Sequence, residues 1–89
     1  MIKNSDKKDI VNFVNRESKN IVASDIDEIK KYYYNLMSHK KYYVAEIIKY
    51  LLYIISRHKT IKKDVVNKAT KTFEKIVFEM DIIDNVMNI

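Results

Sequence analysis

Arg57, His58, Lys59, Lys62 and Lys63 fall within seven consecutive residues and make the densest charge cluster in the chain. Lys and Arg neutralise phosphates and release the counterions held there, so a cluster of this kind suits a nucleic-acid backbone. A solvated, lysine-rich surface has the same composition. The cluster lies between two helical patterns, and loops carry contacts more often than element interiors do. The net charge of +5 is unevenly spread. Residues 37–75 hold ten bases and three acids, and the residues after them hold only Glu79, Asp81 and Asp84.

Other residues that could do chemistry are placed less suggestively. His39 and His58 have no partner at ligand spacing such as His-Glu-x-x-His, and each reads as a surface or turn histidine. Asp25, Asp27 and Glu28 fall in a first helical turn, where the helix dipole accounts for them. Without any glycine, no glycine-rich phosphate cradle can form. Without cysteine there are no disulfides or thiolate metal sites, and an intracellular compartment is expected. The expectation is a binding protein, not an enzyme, with no cofactor, metal or small-molecule substrate. In the run Tyr32-Tyr33-Tyr34, Tyr33 shares an apolar stripe with Ile26 and Ile29 and reads as core. Tyr32 and Tyr34 read as boundary or interface, with stacking on unpaired bases as the sharper alternative.

The elements that must position these residues are helical. Tight hairpins depend on Gly, Asn-Gly or Pro, and the chain contains neither Gly nor Pro. One all-α domain of three to four helices over 1–89 follows, with residues 1–5 and 85–89 expected to fray. Apolar spacing predicts a first helix from about Asp6 to Glu17, with an extended link from Asn20 to Ala23. A second helix starts at Ser24, its acids in the first turn. A third covers Tyr42 to Ile55 and is apolar on nearly every side, as a sandwiched helix is. Ser38-His39-Lys40-Lys41, before it, reads either as a turn or as a polar patch on one long helix. A fourth follows Thr60, a candidate N-cap, with Val65, Ala69, Phe73, Ile76 and Met80 on one stripe. The Tyr42–Ile55 run carries Glu46 and Lys49 and is too short to span a membrane. Met1 to Asp9 is polar and predicts no signal peptide. A small domain hides only about 60% of its unfolded surface, and 47% of this chain is hydrophobic, so self-association is expected. Plentiful Ile, Lys, Asn and Tyr with scarce Ala is the bias of an AT-rich genome, as in some viruses and mobile elements.

The order of features resembles the histone fold, particularly minimal archaeal-type histones. The stretch Asn20-Ile21-Val22-Ala23-Ser24-Asp25 is similar to that family's first loop and the start of its long helix. The stretch from Arg57 to Val66 is similar to its second loop and last helix. The resemblance implies an obligate homodimer whose long central helices cross, with Val44, Ile48, Leu51, Leu52 and Ile55 at the dimer interface. It implies an Arg57–Asp64 ion pair, and DNA phosphate contacts from Lys19, Arg57, Lys59 and Thr60, which Lys62 and Lys63 would extend. The chain departs from the pattern where Ser38 to Lys41 puts charge on the long helix, and where Tyr, Ile and Lys fill the family's Ala and Gly positions.

Two alternatives stand beside this reading. A helix-turn-helix regulator would use Ala45–Ser56, the turn Arg57–Thr60 and Ile61–Thr72, presenting Lys62, Lys63, Asn67, Lys68 and Lys71 to a groove. A compact four-helix bundle binding or inhibiting a host protein, virally or mobile-element encoded, would use its tyrosines at the interface.

Overall fold

The computed structural model describes residues 2–87, with side chains to residue 82. It has four helices, α1 (Asn4–Glu17), α2 (Ala23–Ser38), α3 (Tyr42–Arg57) and α4 (Lys63–Met87), and no strand among the described residues. The chain is thus all-α, as the missing turn residues require.

The start of α2 lies one residue before Ser24. Val22 is the extended residue that precedes the helix, and the carboxylate of Asp25 accepts a hydrogen bond from its N–H at 2.9 Å. This is the backward half of a capping box; valine has no acceptor to supply the forward half. The first of the acids that follow Ser24 therefore closes the helix end instead of serving the dipole alone.

The single long central helix implied by the histone resemblance is not formed. α2 ends at Ser38 and the chain reverses through Lys40, whose φ of 59° is left-handed. The N–H of Lys41 donates to Leu36 O at 2.8 Å, and that of Lys40 to Met37 O at 3.1 Å. These two bonds form a Schellman closure, normally built on glycine. Here lysine occupies the glycine position, because the chain has no glycine to offer. A residue with a Cβ loses about 1–2 kcal/mol in this region. Lys40→Gly is expected to raise stability in urea denaturation by up to about 1 kcal/mol, the rest being offset by the looser unfolded chain.

The helices run alternately up and down. The Tyr43 hydroxyl donates to Asp6, and His58 bonds Asn15, so α1 and α3 are parallel. Lys68 meets Asp27, and Tyr34 meets Glu79, so α2 and α4 are parallel as well. The α1–α2 and α3–α4 connections therefore share one end, and the Ser38–Lys41 turn lies at the other. α3 packs against all three other helices, whereas α1 packs on α3 alone. This explains why Tyr42–Ile55 is apolar on nearly every side. The core joins Val14, Ile26, Leu52, Ile55, Val65 and Ile76, all fully buried.

α4 has 25 residues against 16 in α3, about 13 Å of extra length at ~1.5 Å per residue. It folds back along α3, and the ring of Phe73 lies 5.4 Å from that of Tyr53. The pair forms an antiparallel hairpin.

Candidate nucleic-acid interface

α4 begins later than Thr60. The N–H of Val66 donates to Lys62 O at 3.0 Å, which makes Lys62 the capping residue. Thr60 instead closes the connection on His58. The Thr60 N–H donates to His58 Nδ1 at 3.3 Å, and the Thr60 hydroxyl lies 3.0 Å from the same nitrogen. Nδ1 therefore accepts, and a neutral ring must carry its proton on Nε2. Nε2 lies 2.8 Å from Asn15 Oδ1 and donates to it. His58 thus pins the 58–62 connection to the end of α1.

That pin gathers bases distant in sequence. Lys19, in the α1–α2 connection, comes to the same end as Arg57, Lys59, Lys62 and Lys63. All five are exposed. Among the described residues the ion pairs are Arg16–Glu17, Lys49–Glu46 and Lys68–Asp27. None of the five is neutralised by a carboxylate in contact. Lys62 and Lys63 also sit at the N-terminus of α4, where unsatisfied N–H groups add positive potential. Thr60 is exposed at this end too, with its hydroxyl already engaged by His58.

Two expectations about these residues are corrected. Arg57 and Asp64 form no ion pair. The Arg57 guanidinium lies over the Tyr53 ring, 5.4 Å from its centroid. Tyr53 is one turn back on the same helix face, within reach of a side chain leaning toward the helix N-terminus. Asp64 stays exposed in the first turn of α4, where the dipole favours an acid.

The dimer stripe is the second correction. Leu52 and Ile55 are 0% and 1% exposed within the single chain. Ile48 and Leu51 are partly buried and pack against the same core, while Val44 is 36% exposed. Leu52 and Ile55, assigned to a second subunit, are thus covered by this chain's own helices, whereas Val44 is left exposed. The largest exposed apolar groups lie elsewhere, led by Phe78 at 66%.

The tyrosine run divides as its spacing suggests. Tyr33 is core, Tyr34 is half-buried and Tyr32 is exposed. The Tyr34 hydroxyl donates to Glu79 at 2.8 Å. Burial and this bond to a carboxylate push its pKa up to about 12. Tyr33 is also raised, first by burial and then by the charges of Glu46 and Glu79, and its buried hydroxyl has no hydrogen-bond partner. Tyr43 is raised chiefly by its bond to Asp6. All three shifts act above neutral pH and leave the phenols protonated in the working range.

His39 and His58 lie at opposite ends of the bundle. Among the described residues no group of His, Cys, Asp or Glu is arranged to hold a metal ion, and no helix is long and apolar enough to cross a membrane.

The spacing missed an aromatic row. Tyr50 and Tyr53 on α3 adjoin Phe73 on α4, with ring centroids 6.1 and 5.4 Å apart. The i, i+3 spacing of the two tyrosines was visible; the approach of Phe73 depends on the hairpin.

No family model, curated protein or solved structure matches the chain.

Proposed function

We propose that this protein binds DNA, in an architectural or regulatory role, through the basic end of the bundle. Lys19, Arg57, Lys59, Lys62 and Lys63 contact phosphates, and Thr60 with His58 holds the connection in shape. One observation carries the reading: bases about 40 residues apart in sequence lie at one end of the bundle, exposed and with no carboxylate within ion-pair distance of any of them. Phosphate binding needs no pocket, cofactor or metal, only exposed cations at fixed positions. A partner of this kind places the protein inside a cell, at the nucleoid, nucleus or host cytoplasm.

The test is fluorescence anisotropy of a labelled duplex over a salt series. About five phosphate contacts give a slope of log affinity against log salt near −4.5. That slope corresponds to a fall of roughly 500-fold between 50 and 200 mM salt. Absence of binding at 50 mM salt would end the proposal.

A second reading, a helical module or inhibitor that binds a protein, is favoured by the other end of the bundle. Tyr42, Tyr43 and Val44 open α3 there, and Phe78 and Ile82 are exposed on the part of α4 that runs toward it. Tyrosine and phenylalanine are enriched at protein interfaces. A second copy of the chain is one candidate partner for that end, and light scattering behind a sizing column tests it.

A further inference from the structure

We infer that the groove between α1 and α4 takes the bases of an unpaired nucleic-acid strand whose phosphates reach the basic end. The inference rests on the DNA-binding reading and adds to it the strandedness of the ligand.

Because α1 touches only α3, a groove is left between α1 and α4. It holds about 310 Å³ beside Lys7, Tyr50, Tyr53 and Phe73, and it is continued by a hollow of about 360 Å³ between α3 and α4 that shares Tyr53 and Phe73 with it. Tyr50, Tyr53 and Phe73 form a continuous aromatic row along it. The row leads to Arg57, which belongs both to the groove and to the basic end.

The charges at the groove favour an anion. Lys7 lies over the Tyr50 ring at 5.7 Å and Arg57 over Tyr53 at 5.4 Å. Lys49 is also there, paired with Glu46 at 3.2 Å. Glu74 is the other acid at the groove. Three bases against two acids leave an excess positive charge, and Lys59, Lys62 and Lys63 continue it beyond Arg57. Aromatic rings beside cations are what unpaired bases stack on, with the cations meeting the phosphates between them. In a duplex the base faces are buried in the helix stack, so the row cannot reach them. An apolar partner helix would fill the same volume but would leave the excess charge unmatched.

The experiment titrates the full chain with an oligothymidylate of about twelve nucleotides and, separately, with a duplex of equal length. It reads anisotropy and tyrosine emission, which no tryptophan obscures. Oligothymidylate is expected to quench the emission and duplex to leave it unchanged. Tyr53→Leu and Phe73→Leu keep apolar bulk and remove the stacking ring. Each is expected to lower oligothymidylate affinity about tenfold, and Phe73→Leu, which leaves Arg57 on its Tyr53 ring, is expected to leave duplex affinity unchanged. Tyr53→Phe retains the ring and is expected to bind as the parent does, which separates stacking from a packing defect. Unquenched emission, or leucine variants that bind the single strand normally, would overturn the groove assignment while duplex binding at the basic end stands. Failure of both ligands to bind would overturn the DNA-binding reading itself.

Discussion

Leu52→Ala lowers the free energy of unfolding by about 3–4 kcal/mol, as read from the urea midpoint at constant slope. A domain of this size has roughly 5–13 kcal/mol in all, so the loss is a large fraction of the total. Leu52 is 0% exposed and sits on the one helix that touches the other three. The cavity left by truncation would be walled from several directions and could collapse only partly, which puts the cost in the upper part of the usual range. The neighbouring Leu51→Ala provides the comparison. Leu51 is partly buried beside the open cleft between α1 and α2. Less of its surface leaves water on folding and the cleft can adjust, so its loss is expected near 1–2 kcal/mol. Equal losses at the two positions would mean that α3 is not the centre of the bundle.

The same helix shows how far the sequence can be read. Its apolar circumference was visible in the run Tyr42–Ile55, and the need for cover on all sides followed from it. The identity of the cover did not. Periodicity reports that a face is buried but not by which chain, so Leu52 and Ile55 read equally well as dimer contacts until α1, α2 and α4 were seen to enclose them. The all-α class was legible because hairpin turns need residues this chain lacks. The same lack hid the break at Lys40. A Schellman closure is normally announced by glycine, and lysine in that place carries no signal. Arg57 and Asp64 had the spacing of a pair, yet the nearer Tyr53 ring on the same helix holds the guanidinium. For the candidate site, the 57–63 cluster was plain in the sequence. Lys19 was tied to it only through the histone resemblance; here the link is the parallel course of α1 and α3, fixed by the long-range His58–Asn15 bond.

Position, and not net charge alone, is expected to govern binding, and two triple variants of equal charge separate the two. Arg57→Ala with Lys59→Ala and Lys62→Ala lowers the formal charge from +5 to +2. Lys8→Ala with Lys31→Ala and Lys41→Ala does the same with exposed lysines outside the basic end. Losing three phosphate contacts reduces the salt slope by about 2.7. With the non-ionic part of the free energy unchanged, duplex affinity at 0.1 M salt then falls by about 500-fold. The control variant loses only long-range attraction, which is largely screened beyond about 10 Å at that ionic strength. Its slope is expected to change by less than about one, and its affinity by severalfold. The side chains replaced in the first variant are exposed, and only Arg57 makes a defined contact, with Tyr53. Both variants should therefore unfold at nearly the parent's urea midpoint. Equal losses in the two would make the attraction a property of total charge and remove the reason for assigning a site to residues 57–63. A loss confined to the first variant would locate the phosphate contacts at the end where the α1–α2 and α3–α4 connections meet.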